Sequence, residues 1–266
     1  MGTITCVGLG PGDPDLMSRK AARLIEAGLH VAYFRKAGQT GQARRIVEGM
    51  LHPDVTEYPM EYPVTTEIAF ACVDYNDLLA SFYDDWADRL FQMAQSHDVI
   101  VLCEGDPFLY GSFIHLHARL QGRCPVEVVP GIPGMTGCWH ATGQPITWGD
   151  DVLAVLPGTL SETALVHHMQ QADALVIMKT GRNLPKIRRA LTTTGLLERA
   201  WLIERGTMPT QRVIRLAEAA EQDCPYFAIV LVHGNNGRRP ERRQKPDRSS
   251  VTAHSPRDTV VNGQHS

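Results

Sequence analysis

Two stretches of this chain place carboxylates beside bare backbone. Glu104-Gly105-Asp106-Pro107 sets two acids around one glycine, and Gly8-Leu9-Gly10-Pro11-Gly12-Asp13-Pro14 sets three glycines among two prolines and an acid. Glycine lets a main chain approach a ligand closely, and an ionised carboxylate accepts hydrogen bonds from hydroxyls and amines or pairs with a cation. A third stretch, Pro130-Gly131-Ile132-Pro133-Gly134, adds two more glycines. Loops of this kind suit a small polar ligand held largely through backbone groups. A dinucleotide cradle fits less well: Gly8-x-Gly10 begins that fingerprint, but Asp13 stands where its third glycine belongs. Asp13 and Asp15 would also repel a pyrophosphate.

Each stretch follows an apolar run, and the runs say what must position the loops. Asp98–Cys103 carries four consecutive aliphatic residues with no polar alternation, which is how a strand buried on both faces of a parallel sheet reads. Ile4–Val7 and Val126–Val129 end in the other two loops. Ligands of open α/β sheets lie at the carboxyl ends of the strands, where all three loops stand. Further strands are expected at His30–Phe34, Val152–Leu156, Ala174–Met178, Trp201–Glu204 and Phe227–Val232. Between them, helical spacing of apolar residues predicts a helix from Leu16 to Gly28 capped by Asp15, then Gln39–Met50, Tyr75–Met93, Phe113–Leu120 and Ile132–Thr142. Two more follow, one capped by Ser161 and running through Met169, the other containing Ile187 and Leu191. The class is α/β. Tyr58–Glu67, with two prolines and two tyrosines, reads as a long irregular loop that either binds a ligand or merely connects.

Composition excludes several functions. The 266 residues are 43% hydrophobic, enough for a sizeable core, yet no apolar run approaches the eighteen or so residues of a membrane span. No basic segment precedes an apolar one at the N-terminus, so no signal peptide is expected. The six cysteines are scattered without a Cys-x-x-Cys pair, which favours buried thiols in a reducing, cytoplasmic compartment. Of the eleven histidines, His115 and His117 diverge on a helix and His167 and His168 are adjacent, so no metal-ligand set is expected. Gly237–Ser266 carries seven basic and three acidic residues and no apolar periodicity, the composition of a disordered polar tail. That tail, at +4, leaves about −7 of the chain's net −3 for the remainder. A nucleic-acid reader would show a basic face on its folded part, so no specific nucleic-acid partner is expected.

Taken in order, the glycine-rich stretches together with Glu204-Arg205-Gly206-Thr207 resemble the tetrapyrrole methylases of cobalamin biosynthesis. Within that family, Leu102-Cys103-Glu104-Gly105-Asp106-Pro107-Phe108-Leu109-Tyr110-Gly111-Ser112, the tract Tyr58–Glu67, Met178-Lys179-Thr180-Gly181-Arg182-Asn183 and Pro225-Tyr226-Phe227 are similar to the branch that methylates C20 of precorrin-2. Glu104 replaces the first glycine of the Gly-Gly-Asp-Pro loop that siblings usually carry. The resemblance covers about Thr3–Gly234.

The resemblance implies two α/β domains, 1–125 and 126–236, ahead of the tail 237–266, with S-adenosylmethionine as methyl donor in the cleft between them. It implies a homodimer and precorrin-2 as substrate, giving precorrin-3A. Position by position, Glu104, Gly105, Asp106 and Leu109 match the family's central cofactor loop. Pro133 and Gly134 match the loop after the next strand, Pro133 standing where several siblings have Thr or Ser. Met178 matches a residue over the adenine, Gly206 and Ala228 match later backbone contacts, and Pro11 matches a residue reaching in from the first loop. A polycarboxylate substrate on a net negative body needs local cations, and Arg35, Lys36, Lys179, Arg182 and Arg205 are the strand-end candidates. No side chain announces itself as the base that removes a proton. Two other readings stay open: a sibling methylase acting on cobalt-precorrin-2 or another ring position, and a Rossmann-type protein that binds a nicotinamide nucleotide.

Overall fold

The computed structural model describes residues 1–63, 73–220 and 224–235. Five strands, β1 (Ile4–Gly8), β2 (His30–Lys36), β3 (Thr56–Tyr62), β4 (Val99–Cys103) and β5 (Val126–Val129), form a first sheet in the order β3-β2-β4-β1-β5. Every neighbouring pair is parallel. β1 and β4 are buried throughout, as continuous apolar strands covered on both faces must be. Helices α1 (Arg19–Ala27) and α2 (Gln42–Ile46) cover one face through Ala21, Ile25, Ala43 and Ile46. Helices α3 (Val73–Met93) and α4 (Phe113–Leu120) cover the other through Phe82, Leu90, Phe113 and Leu116.

This winding decides where a ligand can sit. The chain leaves β1 toward one face and β4 toward the other, which makes the carboxyl ends of these adjacent strands the switch point of a doubly wound sheet, the end at which such sheets take their ligands.

The second sheet is mixed. β6 (Leu153–Pro157), β7 (Ala174–Met178), β8 (Ala200–Glu204), β9 (Arg212–Arg215) and β10 (Ala228–Val232) run in the order β6-β7-β10-β8-β9. β6 and β7 are parallel, while β10 lies antiparallel between β7 and β8, and β9 antiparallel to β8. The first residue of β10, Ala228, therefore comes level with the last of β8, Glu204. Helices α6 (Glu162–Met169) and α7 (Leu184–Thr193) close one face over Leu175, Ile177 and Val230. Helix α5 (Gly134–His140) packs on the opposite face, where Trp139, Leu153, Val155 and Trp201 stay half-buried.

Four local expectations change. Thr56–Tyr62 is a strand that runs into the tract expected to be irregular from Tyr58, paired in parallel with β2, Tyr33 opposite Pro59. As an edge strand it needs ladder bonds on one side only, so a proline is tolerated. The helix expected from Leu16 begins later: Ser18 Oγ accepts from Ala21 N at 3.1 Å and caps α1, whereas Asp13 caps a 3₁₀ turn at Pro14–Leu16 by accepting from Asp15 N. The helix expected over Gln39–Met50 shrinks to α2. β9 follows a loop whose sequence showed no strand signal, its Arg212 and Val213 being exposed. Residues 64–67 of the expected loop and the tail 237–266 lie outside the described residues, among which no helix is long and apolar enough to cross a membrane.

Candidate functional site

Four glycines lock the first sheet's loops together. Gly10 and Gly105 form an antiparallel bridge, Gly105 N donating to Gly10 O at 2.8 Å, and Leu9 N donates to Cys103 O at 2.9 Å. A Cβ on Gly8 would lie 2.5 Å from Gly131 N and 2.8 Å from Gly105 O. No side chain fits there, so the loops after β1, β4 and β5 can meet only as bare backbone. Gly105 also holds φ at +63°, which a residue with a side chain resists.

The two carboxylates of the central loop have separate tasks. Asp106 Oδ1 accepts from Phe108 N at 2.9 Å and Oδ2 from Gly131 N at 3.1 Å, so this side chain clamps its own turn and ties it to the loop after β5. Glu104 turns the other way: its Oε1 accepts from Ala43 N at 2.9 Å at the start of α2. The helix's own N-cap, Gly41, supplies no side-chain acceptor, and a Cβ there would overlap Phe34 O. Burial of the Glu104 carboxyl pushes its pKa up, partly offset by the backbone N–H groups that bond it. Leu109 N donates to Asp106 O and completes the turn.

Met178, Gly206 and Ala228 gather at one edge of the second sheet because β10 runs antiparallel between β7 and β8. Thr180 Oγ1 donates to Ala228 O at 2.8 Å and Arg205 N to Phe227 O at 2.7 Å. Gly206 lies against α5, where a Cβ would come 2.6 Å from Cys138 Sγ. Burial raises the Cys138 thiol to about 12, so it stays protonated as packing.

These two loop sets face each other. Gly105 approaches Pro133 and Gly134, whose Cα and N lie 3.9 and 3.4 Å from a Cβ built on it. A Cβ on Gly134 would itself meet nothing within 4 Å. Pro11 reaches Gly137 of α5, a Cβ on which would come 2.7 Å from Pro11 Cβ. Lys179 Nζ sits 5.0 Å from the centroid of the Tyr110 ring, joining the loop after β7 to the loop after β4. All four described non-glycine residues with positive φ, Tyr110, Lys179, Arg205 and Thr207, lie in these loops. Such backbone costs on the order of 1–3 kcal/mol per residue and collects at functional sites. Beside the crevice, Leu16, Met17, Pro130, Ile132, Pro133 and Thr136 line an open cavity of about 520 Å³.

A family model described as Tetrapyrrole (Corrin/Porphyrin) Methylases matches residues 3–220. The chain belongs to the tetrapyrrole methylase family. It is 49% identical over 235 residues to a precorrin-2 C(20)-methyltransferase of Sinorhizobium sp, covering 88% of this chain and 96% of that relative. A cobalt-precorrin-2 C(20)-methyltransferase of Salmonella typhimurium is 27% identical over 239 residues, 87% of this chain and 96% of that one. Among solved structures, the uroporphyrin-III C-methyl transferase of Thermus thermophilus complexed with S-adenyl homocysteine superposes with a TM-score of 0.61 at 23% identity, covering 87% and 92% of the two chains.

Within this tetrapyrrole methylase, the five cations selected from the sequence have different fates. Arg35 donates to Glu61 Oε1 through both Nε and Nη2, at 2.9 and 2.6 Å. Arg205 donates to Thr210 O and pairs with the buried Glu204. Lys36 is exposed at the end of β2, Arg182 lies exposed in the turn Gly181–Asn183, and Lys179 rests on Tyr110. Sheet order separates the Arg35 and Lys36 end from the cavity beside β5 by three strand spacings, about 14 Å.

Sequence reasoning missed the polar groups that knit the loops. Tyr62 and Ser112 share a short hydroxyl hydrogen bond. Ser112 occupies the N-cap position of α4 without capping it, which leaves its hydroxyl for this pairing. Thr207, Met208 and Gln42 are the other omissions: Asp13 N donates to Thr207 Oγ1 at 3.2 Å, and Gln42 Nε2 lies 3.7 Å from Met208 Sδ. Thr207 closes the Glu204-Arg205-Gly206-Thr207 stretch that carries the resemblance, but nothing in that stretch points to the Asp13 amide as its partner.

Proposed function

We propose that this tetrapyrrole methylase transfers a methyl group from S-adenosylmethionine to C20 of precorrin-2, giving precorrin-3A. The observation that carries the reading is the 49% identity to a precorrin-2 C(20)-methyltransferase across nearly the whole of both chains. The lower identity, 27%, to the relative named for the cobalt-containing substrate favours the metal-free one. The reading includes domains 1–125 and 126–236 with the cofactor in the crevice between their loops, a cytoplasmic enzyme and a homodimer. The half-buried Leu153, Val155 and Trp201 on the second sheet, with Trp139 of α5 beside them, support the dimer, because that one short helix covers the face.

The residues present fit the cofactor in a specific respect. Gly105 and Gly134 present backbone at the crevice, and Gly134 faces open space, so a ligand can lie flat against main chain there. Met178, Gly206 and Ala228 would complete the binding surface from the second sheet, and Pro11 and Leu109 from the first. Glu104 and Asp106 shape that surface by holding α2 and the loop after β5. When bound, S-adenosylmethionine supplies a sulfonium-activated methyl group for in-line displacement by the electron-rich meso carbon. What the chain must contribute is alignment, and pre-oriented reactants account for about 7–11 kcal/mol of barrier in favourable cases. Lys36, Lys179 and Arg182 would meet substrate carboxylates, which a body of net negative charge otherwise repels.

The test is a product assignment. Incubation with precorrin-2 and methyl-labelled S-adenosylmethionine should yield one new methyl, assigned to C20 by NMR, and cobalt-precorrin-2 should react more slowly. A label at another ring carbon would move the chain to a sibling activity. Calorimetry should show binding of S-adenosylhomocysteine and none of NAD(P), and the opposite pattern would sink the methyltransferase reading.

A further inference from the structure

We propose that Thr207 and Met208 form a clasp that holds the Pro11 loop over the crevice, making both of them positioning residues for methyl transfer. The proposal rests on the functional reading above and adds residues to it. Thr207 Oγ1 accepts from Asp13 N at 3.2 Å, and its methyl group lies 2.6 Å from where a Cβ on Gly137 would stand. Pro11 Cβ lies 2.7 Å from that same point, so Thr207 and Pro11 close on one glycine of α5 from two sides. Met208 covers the next residue of the first loop: a Cβ on Gly12 would come within 2.7 Å of its Cγ and 3.1 Å of its Cε. Gln42 Nε2 approaches the Met208 sulfur, and the neighbouring Ala43 N–H is the group that Glu104 holds. The central loop, the first turn of α2, the clasp and the first loop thus form one continuous set of contacts between the two sheets.

The clasp's backbone is strained in a way that its sequence does not require. Arg205 and Thr207 both adopt positive φ, +50° and +65°, a conformation in which a β-branched residue is a genuine outlier. Surrounding bonds enforce it: Thr207 N donates to Gln211 Oε1 at 2.7 Å, Arg205 Nε to Thr210 O at 3.1 Å, and Met208 N to Arg205 O at 3.0 Å. Glycine would satisfy this geometry without strain. A threonine is accounted for by what its hydroxyl and methyl reach, namely the Asp13 amide and the Gly137–Pro11 contact. Positioning by this clasp fixes how far the Pro11 loop stands from the cofactor surface, and misplacement of about 1 Å lowers such rates by roughly a hundredfold.

The test compares Thr207→Gly, Thr207→Ser, Met208→Ala and wild type as full-length protein. Thr207→Gly should raise the exchange rate of the Gly12 and Asp13 amides about tenfold or more. It should lower the single-turnover methyl-transfer rate roughly tenfold to a hundredfold at saturating substrates, with the dissociation constant for S-adenosylhomocysteine within about threefold of wild type. Thr207→Ser, which keeps the hydroxyl, should recover most of the protection and rate. Wild-type turnover in both Thr207→Gly and Met208→Ala would overturn the proposal, and so would a rate that falls only in proportion to the unfolded fraction. If Thr207→Gly does not fold, Met208→Ala carries the same comparison. Failure of wild type to bind S-adenosylhomocysteine would instead refute the functional reading, while the exchange measurement, which needs no activity, still decides whether Thr207 holds the loop.

Discussion

The carbonyl oxygen of Gly105 stands so close to Gly131 that a Cβ there would overlap it. The same Cβ would come 2.8 and 2.9 Å from C and Cα of Gly8, and none of these atoms belongs to a side chain that can swing away. Gly131→Ala should therefore cost about 1–3 kcal/mol, the range for overpacking a well-packed interior, and lower the denaturation midpoint. Gly134, three residues on, behaves oppositely. Its Cβ would meet nothing within 4 Å and it opens α5, so Gly134→Ala should leave the midpoint unchanged. If that open space receives the cofactor, Gly134→Ala weakens S-adenosylhomocysteine binding in calorimetry. Unchanged affinity would remove Gly134 from the binding surface.

Asp106 gives a mixed forecast. Both its oxygens accept from backbone N–H groups, so Asp106→Ala strands two donors at about 1–3 kcal/mol for each one left without a partner. The midpoint should fall, and cofactor affinity should fall with it because the loop after β5 loses its tether. Asp106→Asn keeps one acceptor and should lie between wild type and alanine in both measurements. A weakened affinity at an unchanged midpoint would instead place the carboxylate directly on the ligand.

Asp106 also shows which features were legible from residues alone. The strand at Val99–Cys103 was readable because burial on both faces leaves a continuous apolar run, and Val126–Val129, an edge strand with Glu127 exposed, was readable from its valines and the glycine loop that follows. The position of Asp106 was readable but its partners were not. A carboxylate after a strand reads the same whether it faces a ligand or the N–H of Gly131, twenty-five residues away. β3 escaped because an edge strand keeps its prolines and charges. The clasp escaped because Asp13 and Thr207 are 194 residues apart, and only the packing of the two sheets brings them together.

Glu104 should make stability depend on pH in a sense opposite to most carboxylates. Burial raises its pKa in the folded chain, so its contribution to stability is fully present below the ordinary glutamate value of about 4.3. The contribution is lost as pH rises through the raised value, since the folded state then gives up a proton that it held more tightly than the unfolded state did. Glu104→Gln keeps an oxygen for Ala43 N and removes the titration. The variant's midpoint should match wild type near pH 4, exceed it increasingly as pH rises through the raised value, and level off above it. A difference that is constant with pH would show that the carboxyl does not titrate differently in the folded chain.

The cations divide into those free to meet a substrate carboxylate and those holding the protein together. Arg35 already grips Glu61 with two donors, and Arg205 grips Glu204 and the Thr210 carbonyl. Their replacement by methionine should show mainly in the denaturation midpoint. Lys36 is exposed at the end of β2, and Lys179 is exposed with its ammonium group over the Tyr110 ring. An ion pair at such a solvated position is worth up to about 1 kcal/mol, or roughly fivefold in affinity. Lys36→Met and Lys179→Met should each raise KM for the tetrapyrrole by about that factor while leaving kcat, the midpoint and S-adenosylhomocysteine affinity close to wild type. Both effects should shrink toward 1 M salt, where the screening length drops to about 3 Å. A KM effect that persists undiminished at that ionic strength would mean that the lysine acts by packing on Tyr110 rather than by charge. An unchanged KM at low salt would take it out of the substrate's path.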